Sequence, residues 1–408
     1  MDYGAIKSYF SGVGAKRLAP VDVDPESSNQ HEFNGVRQLR DIFGDGDIKR
    51  METTYVYLDD SGAPVFDYGT ATWYDARRNN PTRTEYRLYY SGNEAMERAI
   101  AGDLMVVAVT EGGASSAVGE LLIIFASAGS TIESQVRWLF GLDGLDESGF
   151  SVSESDTRID AVAAEILETI GIEISIPTAA DMFLEGLVAK FGESFPTGVE
   201  FTEYSISTLG ILDWKGDPDG SLQACYQREE LLYRVFERHL LERDFEPYIG
   251  SAFDVDALLR ISMSTFQRRK SRAGSAFENQ LSCLFDKWEI KYSAQKFTEG
   301  KSKPDFVFPS IEDYHDPSFP DARLVMLGAK TTIKERWRQV LDEADRIVVK
   351  HLVTLEPAVS ENYTKAMAKD KLQLVTPVGL FKTYNKSQRS WLMSVKDFCE
   401  MVLEKQKD

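Results

Sequence analysis

The sequence predicts two domains of different class: a mainly-β domain at the N-terminus and an α/β domain at the C-terminus. Three observations carry this. A chain of 408 residues is long enough for two cores. Its first 140 residues alternate short apolar runs with turn residues, the mark of strands and tight connections. From residue 226 onward, helical apolar stripes alternate with short strand-like runs, which indicates an α/β core. The composition, 43% hydrophobic and 27% charged, is that of a globular protein.

In order, the β-rich part reads TTYVYL (53–58), DDSGAP, VFDYGTATWY, YRLYYSG, DLMVVAVT, EGGASSAVG (111–119) and ELLIIFAS. EGGASSAVG is expected to be a hairpin loop, because it lacks the GxxxxGK[ST] spacing of a phosphate cradle. Residues 143–220 mix acidic helices with punctuated stretches (LDGLDESG, FGESFPTG, WKGDPDG) and read as a joint. The expected division is therefore a domain at 1–172, a linker and joint at 173–215, and a second domain at 216–408. In the latter, Leu231, Leu232, Val235, Phe236, Leu240 and Leu241 form a helical stripe. A second helix is expected around SAFENQLSCLFDKW (275–288), entered through the basic segment RRKSRAG (268–274). Strands are expected at DFVFPS (305–310), RLVMLGAK (323–330), HLVTL (351–355) and LQLVTP (372–377).

Charge and cysteine usage narrow the function classes. The net charge of −19 argues against a protein that grips nucleic acid everywhere, but it is unevenly placed. Residues 141–260 hold 8 Lys and Arg against 25 Asp and Glu, whereas residues 261–350 hold 16 against 13. A DNA-binding surface outside the acidic middle thus stays open. Cys225, Cys283 and Cys399 are widely spaced without a CxxC pair. They imply neither disulfide framework nor zinc site, and a reducing cytoplasm is the expected compartment. The longest apolar run, LLIIFASA (121–128), is too short to span a membrane, and MDYGAIKSYF has no signal-peptide pattern.

Metal-assisted phosphodiester hydrolysis needs carboxylates converging on Mg²⁺ and a cation near the attacked phosphate. Asp305 heads an apolar strand in KSKPDFVF, and Lys330 ends the next strand, where it can lie beside Asp305. The Pro-Asp pairs at 218–219 and 320–321 are better explained as turns. An acid two residues before the lysine is missing, for Gly328 stands there. Glu343 could replace it from the following helix, where it shares a face with Arg336 beside the apolar stripe Trp337, Val340, Leu341 and Ala344. On periodicity alone Glu343 reads as an exposed helix glutamate.

At these residues the chain resembles the EcoRII restriction endonuclease family. The resemblance is dense over 265–360: RRKSRAG, Glu278, KPDFVFPS, YHD, FP, AKTTIKERWRQVLDEAD and HLVTLE, in that order. It implies a restriction-endonuclease-like PD-(D/E)xK core that cuts double-stranded DNA with Mg²⁺. Asp305 and Glu343 are then the metal ligands, Lys330 the catalytic lysine and Glu278 an auxiliary acid. A solvated helix residue is the alternative reading of Glu278. The resemblance further implies base reading by Lys334, Glu335 and Arg336 at a CC…GG site, chemistry that suits a carboxylate on cytosine N4 and cations on guanine. Arg338 and the basic segment (Arg268, Arg269, Lys270, Arg272) are expected to contact phosphates. Thr331 and Thr332 are expected to turn and cap the helix.

The N-terminal domain resembles the same family more faintly, through KRL (16–18), His31 and PTRTEYR (81–87). This implies a B3-like pseudobarrel binding a second, effector DNA through Arg17, His31, Arg83, Glu85 and Arg87. Tyr86 and Pro81 depart from the family's basic residues. A homodimeric type II (type IIE) endonuclease of the bacterial cytoplasm is the leading expectation. The alternatives are a DNA-binding regulator with an inactive nuclease core, and a recombinase-like enzyme using Tyr314 as nucleophile.

Overall fold

The structure, a computed structural model, describes residues 5–23, 31–33, 36–80, 82–110, 121–142, 151–153, 157–172, 182–248, 254–333 and 336–407. The chain divides into two compact units. One comprises residues 2–175 with 358–362; the other comprises 176–357 with 363–408.

The N-terminal unit is mainly β, as expected. Its strands are β1 (Phe10–Arg17), β2 (Glu32–Phe33), β3 (Ile48–Leu58), β4 (Val65–Asp75), β5 (Tyr86–Tyr90), β6 (Leu104–Thr110), β7 (Leu121–Ala126) and β8 (Ser151–Ser153). They form one sheet in the order β2-β5-β4-β3-β7-β6-β1-β8, antiparallel except for the β3–β7 pair. Short helices intervene: α1 (Pro20–Val23), α2 (Arg40–Phe43), α3 (Glu94–Arg98), α4 (Thr131–Leu139) and α5 (Ala161–Thr169). Every residue of β7 is buried, which explains why LLIIFA shows no alternation. Phe33, Tyr55, Trp73, Leu88 and Phe125 lie in the core. Trp73 stacks on Tyr86 and its indole N–H donates to the Gly44 carbonyl at 3.1 Å, so its one polar atom is satisfied. Residues 111–119, expected as a hairpin loop, lie outside the described residues.

In the C-terminal unit, part of the segment expected as a joint packs on the helices that follow it. Its helices α6 (Leu184–Phe191) and α7 (Gly198–Ser207) pack on α8 (Pro218–Phe245), and α7 also packs on α9 (Val255–Lys287). The cause is aromatic: Phe191, Phe195 and Phe201 interleave with Tyr233 and Phe236 of α8. Asp217 caps α8, and Pro218 sits where a helix start tolerates a missing N–H. Pro218-Asp219 is therefore a helix start and not a free turn. Buried Asp219 accepts from the amides of Val378, Val395 and Lys396 at 3.0 to 3.1 Å, capping α14 (Val395–Gln406).

The segment RRKSRAG also differs from expectation. It lies within the single 33-residue helix α9 and is not the entry to a helix that starts after it. No proline interrupts 255–287, and Arg269 and Arg272 lock onto acids of α8.

The remaining strands, β9 (Ser293–Ala294), β10 (Phe306–Phe308), β11 (Val325–Ala329), β12 (Lys350–Val353) and β13 (Leu372–Val375), form a mixed sheet in the order β13-β12-β11-β10-β9. β9, β10 and β11 pair antiparallel, and β11, β12 and β13 pair parallel. Short helices α10 (Ile311–His315), α11 (Trp337–Leu341), α12 (Glu361–Lys369) and α13 (Lys386–Arg389) complete the unit. Phe306 and Phe308 of β10 meet Phe285 of α9 at 5.2 Å between ring centroids, and Phe308 also meets Phe398 of α14. This aromatic core fixes β10, and with it the residue at its head.

Candidate active site

Asp305 occupies that head position and is buried. Because β10 and β11 run antiparallel, the start of one lies beside the end of the other. Asp305 Oδ2 accepts from the Ala329 amide at 2.7 Å and from Lys330 Nζ at 2.8 Å. Its Oδ1 accepts from Gln295 Nε2 at 2.9 Å. The same amide nitrogen donates to Glu278 Oε2 at 2.8 Å, so Gln295 holds two carboxylates that would otherwise repel. Gln295 adopts a left-handed φ of 52°, and its backbone N–H donates to the Asp305 carbonyl at 3.0 Å.

Glu278, on α9, is half-buried. Burial, then the nearby Asp305 charge, raises its carboxyl above the usual range, against the pull of Gln295 and Lys330. Glu343 is shifted further, up to about 7, by burial and then by Asp305, with Lys330 and Lys350 opposing. These three acids and Lys330 therefore share one electrostatic environment. Glu343 is half-buried and lies beyond the end of the helix, so it is not an exposed helix glutamate.

The route by which Glu343 arrives differs from expectation. The helix α11 ends at Leu341, and Glu343 lies in the turn beyond it. Ala344 takes a left-handed φ of 55°, which stops the helix and turns the chain. Arg336 and Glu343 therefore do not share one helix face. Thr331 and Thr332 do not cap the helix either, because its N-cap position is Arg336 and no side chain caps it. Residues 330–333 instead run beside β12: the Lys330 amide donates to the Val353 carbonyl at 3.0 Å, and the Ile333 amide donates to buried Glu356.

Gly328 explains why no acid stands two residues before the lysine. A Cβ built there would lie 3.0 Å from Val340 Cγ2 and 3.6 Å from Leu352 Cδ1. Helix α11 thus sits directly over the strand position that a carboxylate would need.

The other site residues divide by placement. Arg336 is exposed at the start of α11, and exposed Arg338 stacks on buried Trp337 at 4.7 Å. Lys334 and Glu335 lie outside the described residues, as does the side chain of Lys270. Arg268 stacks on Phe195 at 4.8 Å, and Arg269 Nε donates to buried Glu237 at 2.7 Å. Arg272 is deeply enclosed, ion-paired with Glu230 and stacked on Tyr233 at 4.2 Å. Its guanidinium holds Glu230 well below the usual carboxylate range, together with Arg234. Arg272 is thus a packing residue of the α8–α9 contact, a correction to its expected phosphate role.

In the N-terminal unit, Arg17 pairs with Glu133 and donates to the Gly102 carbonyl at 3.1 Å. Arg87 bridges Glu32 at 2.5 Å and Glu85 at 2.7 Å, and Glu85 also meets Arg77. His31 and Arg83 are exposed. Tyr314 does not suit a nucleophile. It is buried, its hydroxyl donates to Glu299, and burial with that carboxylate pushes its pKa far up. Gln295, Lys350 and Glu356 carried no signal in the sequence, because an amide, a strand lysine and a strand-end acid are common surface residues.

Fold and site together define an α/β unit whose mixed sheet gathers three acids and a lysine at the meeting ends of two strands. Residues 233–399 match the family described as EcoRII C terminal. The type II restriction enzyme EcoRII of Escherichia coli is 39% identical over 210 residues, which are 50% of this chain and 50% of that protein. The type II restriction enzyme SsoII of Shigella sonnei is 26% identical over 155 residues, 35% of this chain and 49% of that protein. The chain thus spans about half the length of the curated relatives it matches. Among solved structures, metal-depleted Ecl18kI in complex with uncleaved, modified DNA aligns with a TM-score of 0.42 and 23% identity, covering 55% of this chain and 84% of that one. The restriction endonuclease PspGI–substrate DNA complex aligns with a TM-score of 0.42 and 17% identity, covering 52% and 93%.

Proposed function

We propose that this chain is a type II restriction endonuclease, which hydrolyses double-stranded DNA at a CC(N)GG-like site with Mg²⁺. The observation that carries this reading is the convergence of Asp305, Lys330, Glu278 and Glu343, in a chain 39% identical over 210 residues to a type II restriction enzyme. Its core is then a PD-(D/E)xK nuclease in which Glu343, from the turn after α11, takes the place closed to residue 328.

The donor set fits magnesium, which prefers one or two carboxylates and keeps several waters. Asp305 and Glu343 would hold it. Among the described residues no group of three or more His, Cys, Asp or Glu is arranged to hold a metal, but two carboxylates suffice here. Burial first, and the Asp305 charge second, raise the Glu343 carboxyl, and a bound cation would favour its ionised form. When bound, the ion would supply Lewis-acid stabilisation of the phosphate and an activated water. Lys330, 2.8 Å from Asp305, keeps its ammonium beside the same point, where it stabilises charge growing on the phosphate oxygens. Glu278, held by Gln295, serves as the auxiliary acid.

Base reading is assigned to Lys334, Glu335 and Arg336, on the segment that Glu356 tethers through Ile333. Arg338 and Arg268 are the better placed of the proposed phosphate contacts. The active form is a homodimer, since two copies of one site match the two strands of a near-palindrome. The N-terminal sheet is read as a B3-like pseudobarrel that binds an effector copy of the site, with His31 and Arg83 as its exposed members and Arg17, Glu85 and Arg87 held within its ion pairs. A bacterial cytoplasm is the proposed compartment.

The test is direct. Purified protein with Mg²⁺ and DNA carrying several CC(N)GG sites is expected to give discrete fragments, and Lys330→Ala is expected to bind the same DNA without cutting it. Specific binding with no cleavage by the wild-type protein would replace this reading with that of a DNA-binding regulator.

A further inference from the structure

The acids reach the sheet ends from two irregular segments, the 295–304 loop leading to Asp305 and the turn that carries Glu343. A hydrogen-bonded bridge joins these segments away from the acids themselves. On the turn, Arg346 gathers most of the excursion between β10 and β11. Its Nε and Nη2 donate to Asp321 Oδ1 at 2.9 and 2.6 Å, and Nη2 also donates to the Phe319 carbonyl at 2.7 Å. Its Nη1 donates to the carbonyls of Asp316 at 3.0 Å and of Tyr314. The guanidinium also lies over the Tyr314 ring, 5.6 Å from its centroid.

Tyr314 then links the turn to the loop through one oxygen. Its hydroxyl accepts from the Arg346 amide at 3.3 Å and donates to Glu299. Glu299 also accepts from the Asp345 amide at 3.4 Å. It stands in the loop between Gln295 and Asp305, a loop closed by Ser302 on Thr298 and Glu299 at 3.0 and 2.7 Å. A continuous path therefore runs from the residues just after Glu343, through Arg346, Tyr314 and Glu299, to the loop whose Gln295 holds Asp305.

We propose that Arg346, Tyr314 and Glu299 form a brace that fixes Glu343 relative to Asp305, making them positioning residues for this pair of metal-binding carboxylates. This rests on the endonuclease reading above. Partners that orient ligating carboxylates without touching the metal commonly change metal affinity 10- to 100-fold when removed. Arginine is needed because its planar fork reaches several carbonyls at once, whereas lysine offers a point charge.

Two variants test the brace. Tyr314→Phe removes the bridging oxygen and leaves the ring, and Arg346→Lys keeps the charge and removes the fork. The probe is a CC(N)GG duplex titrated with Ca²⁺ for binding and with Mg²⁺ for cleavage. In variants shown by thermal melting to be folded, both metal midpoints are expected to rise about tenfold or more, with metal-free DNA affinity unchanged. Wild-type midpoints in a folded variant would overturn the brace and leave the endonuclease reading standing. A wild-type protein that neither responds to Ca²⁺ nor cuts with Mg²⁺ would overturn that reading, and the brace with it.

Discussion

Asp305 is held by three donors at once, and those three define what each neighbour does. Ala329 and Gln295 fix its two oxygens, while Lys330 places a cation 2.8 Å away. Removing that cation by Lys330→Ala should leave DNA binding intact and lower the cleavage rate by about 10²- to 10³-fold or more, the usual cost of losing one preorganised charge-stabilising group. A single-turnover cleavage assay reads this. Arg272 predicts a different outcome from a similar residue type. Its pairing with Glu230 is deeply buried, so Arg272→Ala should cost about 3 to 5 kcal/mol in a denaturant melt. Arg338→Ala should instead leave stability nearly unchanged and reduce the salt slope of DNA binding by about one. The sequence made Asp305 and Lys330 legible because a strand head and a strand end are visible as pattern. It could not separate Arg272 from Arg338, since burial depends on α8, which lies far away in sequence.

Elements were legible to the extent that their periodicity was local. The strands at 306–308, 325–329 and 372–375 fall within the runs expected for them, and the strand at 350–353 overlaps the run expected at 351–355. The helix after Lys330 was legible as a helix but not in its length: Trp337, Val340 and Ala344 continue an apolar stripe, yet Ala344 leaves the helical region. No side-chain pattern announces a left-handed alanine, because tertiary contacts impose it. The helix expected at 275–288 begins much earlier for the converse reason: the basic segment 268–274 is itself helical, held by ion pairs with α8. The helix–strand contact gives its own prediction. Gly328→Ala places a methyl about 3.0 Å from Val340, and this overpacking should cost roughly 1 to 3 kcal/mol, read by chemical denaturation. Gly328→Ala combined with Val340→Ala should recover part of that loss.

At the scale of the molecule, some of the acidity is paired within the fold. On α8, buried Glu229, Glu230 and Glu237 of the acidic middle of the chain meet Gln280, Arg272 and Arg269. Stability should carry a pH signature from His351, buried on β12 against Phe398. Burial lowers its pKa from 6.5 to about 4. The unfolded imidazole takes up a proton below 6.5 while the folded one resists it, so this contribution is complete above pH 6.5. It is lost as pH falls toward 4, by up to about 3 kcal/mol. His351→Phe should narrow the difference between urea midpoints measured at pH 7 and pH 4.5, whereas an unchanged difference would assign the acid sensitivity to other groups. Under the proposed function, Asp305 and Glu343 would hold one metal ion, although they come from a strand head and a post-helical turn. The most direct measurement is a crystal structure with DNA and Mn²⁺, read by anomalous scattering. A peak in contact with both carboxylates is the predicted result. A peak that touches Asp305 alone, with Glu343 turned away from it, would contradict the account.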